Sequence, residues 1–136
     1  MKEWINDKKI LLIAVKKDGY ALKCASKEIK NNKEVVLEAV KQNGYALEFA
    51  NDALKNDKEV VLEAVKKNGI SLRFASKELK NDKGFILEVV KQDIRALGYA
   101  SKEIKNNKEL MLIIIRENAR ALMSVGEDLK KDKDFL

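Results

Sequence analysis

A period of 25 residues governs this chain. Residues 31–55 read NNKEVVLEAVKQNGYALEFANDALK, and residues 56–80 read NDKEVVLEAVKKNGISLRFASKELK. Copies of that line occupy 6–30, 31–55, 56–80, 81–105 and 106–130 without insertions, and KDKDFL (131–136) opens a sixth. The start also lies inside a copy. KEWIND (2–7) parallels KELKND (77–82), so Trp4 stands where the copies carry Ile29, Leu54, Leu79, Ile104 and Leu129. A fixed period of this size marks an array whose units bury their apolar faces against their neighbours.

The first half of each copy predicts a helix. Val35, Val36, Leu37, Ala39 and Val40 recur with helical spacing, and period-two alternation is absent. Asn31, Asn56 and Asn106 stand three residues before Glu34, Glu59 and Glu109, the spacing of a capping box. Asp18-Gly19, Asn43-Gly44 and Asn68-Gly69 predict a left-handed helix end. The helix is then about 11 residues, or roughly 16 Å, long. A shorter second helix is expected to bury Ala46, Leu47, Phe49 and Ala50, and Ser26, Asn51, Ser76 and Ser101 open a final turn ending in lysine.

The expected fold is all-α: a single domain, 1–136, forming an α-solenoid of five helix-turn-helix repeats. Residues 1–5 and 131–136 are its terminal caps, with Trp4 and Ile5 sealing one end and Phe135 and Leu136 the other. The last copy is the least regular. Ile94 and Ala119 replace the turn glycines, and LMLIII (110–115) places Ile113 where earlier copies have Glu38, Glu63 and Glu88. Ile113 is expected either to pack under the chain end or to meet a partner, as in a weak homodimer through this repeat; otherwise the chain is a monomer.

The line NDKEVVLEAVK, followed by NG, AL and AS at fixed spacing, resembles the tandem helical repeats of the domain-of-unknown-function family 4116. The resemblance covers 6–130, is strongest over 31–80, and is weaker over 106–130, where the turn glycine is lost. It implies a repeat architecture and no established activity, so no catalytic residues carry over.

Composition narrows the function classes. The sequence has no histidine, which removes the commonest general base near neutral pH and the commonest zinc ligand. Cys24 is the only cysteine, so neither an internal disulfide nor a thiolate cluster can form. Its slot is filled by Phe49, Phe74 and Tyr99 in other copies, and it reads as a small buried hydrophobe. No glycine-rich phosphate loop, metal-ligand cluster or nucleophile with a base appears, so no enzyme activity, cofactor or metal is expected. No stretch reaches the roughly 20 apolar residues of a membrane span, and the start is too polar for a secretory signal, which makes the cytoplasm the expected location.

Positions repeated identically serve the scaffold, so functional candidates lie where surface residues differ between copies. One row is Tyr20, Tyr45, Ile70, Arg95 and Arg120; three residues on run Lys23, Glu48, Arg73, Gly98 and Met123; four further run Lys27, Asp52, Lys77, Lys102 and Glu127. Spacings of three and seven put the rows on one helix face, and stacked repeats turn that face into a ridge. Aromatics, arginine and methionine are enriched where proteins meet proteins. The plainer reading is that the tyrosines cover the groove between helices and the charges solvate the surface.

The net charge of +6 is concentrated in 6–30 and fades in 31–55, unlike a tract that follows a nucleic-acid backbone. Lysine ladders run through Lys8, Lys33, Lys58, Lys83 and Lys108, through Lys16, Lys41, Lys66 and Lys91 with Arg116, and through Lys30, Lys55, Lys80, Lys105 and Lys130. The second and third sit at helix C-terminal ends, where a cation interacts favourably with the dipole, whereas a lysine of the first ladder, in the first turn, opposes it. The first has two readings: phosphate contacts, or an edge neutralised by Asp7, Asp57, Asp82 and the glutamates. Glu38, Glu63 and Glu88 are expected to pair with Lys41, Lys66 and Lys91. The function expected from all this is a non-enzymatic protein-binding repeat module, an effector or inhibitor that occludes a partner's surface. The alternative is binding of an RNA or DNA backbone through the lysine ladders.

Overall fold

In the computed structural model, residues 4–135 are described. Every 25 residues the chain repeats three elements: a ten-residue α-helix, a six-residue 3-10 helix and a four-residue α-helix. The long helices are α1 (Lys8–Lys17), α3 (Lys33–Gln42), α5 (Lys58–Lys67), α7 (Lys83–Gln92) and α9 (Lys108–Glu117). The short ones are α2 (Lys27–Lys30), α4 (Asp52–Lys55), α6 (Lys77–Lys80), α8 (Lys102–Lys105) and α10 (Glu127–Lys130). The 3-10 helices span Gly19–Cys24, Gly44–Phe49, Gly69–Phe74, Ile94–Tyr99 and Ala119–Ser124. Long helices stack on one another in one layer, and the 3-10 helices stack in a second layer, each touching its own long helix and, in the first two repeats, the next long helix as well. The fold is all-α and built of tandem repeats.

One core runs between the layers through all five repeats. Val35, Val36, Ala39 and Val40 are fully buried in the second repeat, as are Val60, Val61, Ala64 and Val65 (1%) in the third. Leu22, Leu47, Leu72 and Leu97 are likewise completely covered by the neighbouring repeat, each contributing about 1.5–3 kcal/mol relative to exposure.

The helix starts differ from expectation by one residue. Asp7, Asn32, Asp57, Asp82 and Asn107 cap the long helices, accepting from the amides of Ile10, Val35, Val60, Phe85 and Leu110. No capping box forms, because Glu34 and its equivalents fall too early in the first turn to reach back. Preceding asparagines instead reach the serine that opens the short helix of the same repeat. Asn6, Asn56 and Asn81 accept from the hydroxyls of Ser26, Ser76 and Ser101 at 2.6, 2.5 and 2.6 Å. The same seryl oxygens cap the short helices at Ile29, Leu79 and Ile104.

The turn glycines are not left-handed. No described residue, glycine included, has positive φ. Asp18, Asn43 and Asn68 are extended, with φ between −150° and −142°, and Asp18 and Asn43 accept from the backbone N–H two residues on to start the 3-10 helix. Glycine is required for another reason: the repeats approach too closely for a side chain. A Cβ on Gly19 would sit 2.5 Å from the carbonyl oxygen of Ala39 in the next long helix, and one on Gly44 would collide with the carbonyl of Ala64. From α5 to α7 and from α7 to α9, where Val89 and Ile114 succeed Ala39 and Ala64 and, at the second of these, Ile94 succeeds the glycine, the long helices pack more loosely.

Five backbone hydrogen bonds tie successive repeats together. The amides of Ser26, Asn51, Ser76, Ser101 and Gly126 donate to the carbonyls of Ile5, Lys30, Lys55, Lys80 and Lys105 at 2.8–2.9 Å. Ile5 therefore does stand in the register of a preceding copy. The expected seal, however, is partial. Trp4 remains 48% exposed, with the ammonium of Lys30 over its ring at 4.8 Å, and Ile5 is also exposed. At the other end Phe135 is half-buried against the core, and Leu136 lies outside the described residues. Ile113 is 46% exposed, so the chain end does not cover it.

Candidate functional site

The 3-10 and short helices form the outer layer that carries the candidate rows. Because a 3-10 helix turns every three residues, the first two rows superpose on one side of it. The third row does not share that helix: Lys27, Asp52, Lys77, Lys102 and Glu127 begin the separate short helices. The rows are nonetheless neighbours along one layer. Tyr20, Arg95 and Arg120 are exposed, as are Lys23, Glu48, Arg73, Gly98 and Met123, while Tyr45 and Ile70 are half-buried. Among the described residues Met123 is the most open large apolar side chain, at 85% exposure.

Local contacts organise this face. The rings of Tyr20 and Phe49 meet edge to face at 6.1 Å, and the Lys23 ammonium lies 5.9 Å from the centre of the Phe49 ring. Arg73 sits 5.1 Å from that of Phe74. Arg95 folds back onto Asp93 through contacts of 2.7–3.2 Å, which holds the Asp93 carboxyl below the usual range and raises the Arg95 guanidinium. That pairing fixes Arg95 in place, whereas Arg120 has no ion pair among the described residues.

Between consecutive short helices the layer opens into grooves. One lies among Lys27, Lys30 and Phe49, with a volume of about 350 Å³; its equivalent two repeats on is lined by Lys77, Lys80 and Tyr99 and has the same volume. A wider one, about 510 Å³, lies between the fourth and fifth repeats. Sequence patterns alone missed these grooves, because the ring row Phe49, Phe74 and Tyr99 looks like core; Phe49 and Phe74 are half-buried and Tyr99 is exposed. Cys24 occupies the same slot and is exposed rather than buried, for the slot borders the groove and not the core.

The lysine ladders have different fates. Lys33 bridges to Asp57 and Glu59 at 2.9 Å each, Lys58 to Asp82 at 3.3 Å, Lys108 to Asp132 at 3.9 Å and Lys8 to Glu34 at 2.7 Å. Each links one repeat to the first turn of the next, so this ladder joins repeats. The Lys33 ammonium is raised by Glu59 and Asp57. Burial would raise the Asp57 carboxyl, but Lys33 and the amides of Val60 and Glu59 bring it below its ordinary value. The second ladder ends the long helices as expected. In the third, Lys80 and Lys105 donate to the carbonyls of Arg73 and Gly98 at 2.7 and 2.9 Å. Of the expected glutamate pairs only Lys66 with Glu63, at 3.6 Å, is within ion-pair reach.

The pattern Domain of unknown function (DUF4116) matches residues 7–55 and again 57–105. The chain belongs to this family. Each DUF4116 match covers two of the 25-residue repeats, beginning at or beside the capping aspartate of a long helix, Asp7 or Asp57. The fifth repeat, where glycine gives way to Ala119 and the apolar stretch 110–115 begins, lies outside both matches. Among curated proteins and among solved structures, none matches the chain. No helix of the described residues is long and apolar enough to cross a membrane. Among the same residues no three His, Cys, Asp or Glu side chains are grouped as metal ligands.

Proposed function

We propose that this chain is a non-enzymatic protein-binding module that presents the 3-10 and short-helix layer to another protein, acting as an effector or inhibitor by covering that protein's surface. One observation carries this reading. The residues that differ between repeats, from Tyr20 to Arg120 and from Lys23 to Met123, share one solvent-facing layer, while the residues that repeat identically are spent on core and junctions. An exposed, side-chain-varied surface on a rigid repeat scaffold is how solenoids recognise partners.

The nucleic-acid alternative draws less support. Four of the five lysines in its most regular ladder are engaged in ion pairs between repeats, and Glu48 and Asp52 interrupt the cationic rows in the second repeat. The test is capture from an extract of the source cells, with and without nuclease, followed by the double variant Arg120→Glu, Met123→Asp. Arg95 is left intact because its pairing with Asp93 supports the local fold. A protein retained after nuclease and lost with the variant, at unchanged helicity, is expected; retention that disappears with nuclease overturns the proposal.

A further inference from the structure

The five repeats allow the outer layer to be compared with itself, slot by slot. Positions 49, 74 and 99 hold Phe, Phe and Tyr, and in the first two a cation lies over the ring. Position 124, the equivalent in the fifth repeat, holds serine. The residue that leans over the Phe49 slot from the repeat before is Lys23, and its equivalent here is Gly98; a Cβ on it would meet nothing closer than the Ser124 hydroxyl at 4.0 Å. At this junction the ring is missing, as is the lysine that leans over the Phe49 slot, and the groove there, about 510 Å³, is larger than its equivalents at the first and third junctions, about 350 Å³ each.

We infer that the groove between the fourth and fifth repeats receives an aromatic side chain from a peptide segment of a partner protein, in the place where the second, third and fourth repeats use a ring of their own. This rests on the protein-binding reading above and names the chemistry of its partner. The volume falls in the range of pockets that enclose a ligand group. Met123, exposed at the lip, supplies a flexible thioether suited to the edge of an incoming ring.

The charges around the groove set what flanks that ring. The α8 wall presents Lys102 and Lys105; Lys105 is already bonded to the Gly98 carbonyl, and Lys102 has no ion pair among the described residues. The opposite wall, in α10, presents Glu127 and Asp128, with Lys130 drawn to Glu127 at 3.4 Å. A single carboxylate beside the ring on the α8 side is therefore favoured, while a continuous polyanion would meet the acids of α10. The partner segment is an aromatic residue with one adjacent acidic residue, and a nucleic-acid strand is disfavoured.

The full chain, ¹⁵N-labelled, is titrated with N-acetyl-Glu-Trp-Gly-amide and followed through the amide resonances of Gly98, Ser124 and Gly126. These are expected to move together, and to stay in place with the peptide carrying Ala for Trp. Two variants copy what other repeats already contain: Ser124→Phe refills the slot and Gly98→Lys screens it, as Lys23 does at Phe49. Each is expected to weaken the peptide by about tenfold or more while leaving the spectrum folded. Unmoved resonances, equal response to the alanine peptide or to oligouridylate, or unchanged affinity in both folded variants overturns the assignment. Tested against a captured partner, loss with Arg120→Glu but not with Ser124→Phe removes the groove and keeps the protein-binding face; loss with neither removes both.

Discussion

At the scale of single residues, the glycines after α1 and α3 show how one sequence signal serves two physical ends. An Asx-Gly pair after a helix fits a left-handed turn, and that is how the sequence reads in isolation. Here the same pair is an extended cap followed by a residue pressed against the next repeat's backbone, a contact no local pattern encodes. The two accounts differ in what asparagine does, since it tolerates a left-handed conformation yet still carries a Cβ. Gly44→Ala and Gly44→Asn are both expected to destabilise by roughly 1–3 kcal/mol, measured by urea unfolding, as overpacking does. Rescue by asparagine would restore the left-handed account. Ser71 is the opposite case. It stands fully buried where the other repeats have alanine, and its hydroxyl has no hydrogen-bond partner. Ser71→Ala is expected to stabilise by about 1 kcal/mol in the same measurement, by relieving a buried unpaired polar atom.

At the scale of elements, the periodic apolar pattern was enough to place the long helix in every repeat, ending at about ten residues rather than eleven. What it could not settle was which of two adjacent cap-forming residues caps. Asn31 and Asn32 are both competent, and the choice is made by a contact twenty residues away, where the first residue of such a pair meets the serine at the far end of its own repeat, as at Asn6, Asn56 and Asn81. The candidate rows were legible as exposed and varied, but the grooves between short helices were not, since they exist only once repeats are stacked. The ion-pair ladder has a pH signature of its own. Glu34 and Asp82 are lowered, chiefly by Lys8 in the first case and by the amide of Phe85 in the second, as are Asp57 and Asp93. A carboxylate lowered in the folded state contributes stability that is present above its ordinary value, about 4, and is lost as pH falls through the lowered one. Lys33, raised, contributes stability present below the ordinary lysine value and lost as pH climbs through its own. With no histidine to titrate between, thermal unfolding is expected to be flat from about pH 5 to 8 and to fall on the acid side. A maximum within that window would contradict the ladder's role.

At the scale of the whole molecule, every junction repeats the same backbone bond and, with local variation, the same apolar contacts, so stability is close to a sum of repeat and junction terms. Excising residues 56–80 joins Lys55 to Asn81 in register and re-forms every junction. The shortened chain is expected to remain helical and to unfold cooperatively at lower temperature, whereas removal of 24 or 26 residues in the same place should abolish the transition; circular dichroism distinguishes them. Loss of folding in the in-register deletion would mean that the repeats are not interchangeable. The five backbone bonds from Ile5 to Gly126 also decide how the molecule answers force. Each bond spans one junction only, so tension applied across the chain loads the junctions one after another. A molecule stretched from its ends should then give way in equal steps, each releasing 25 residues or roughly 85 Å of extended chain, and would behave as an extensible tether whose length is set by load.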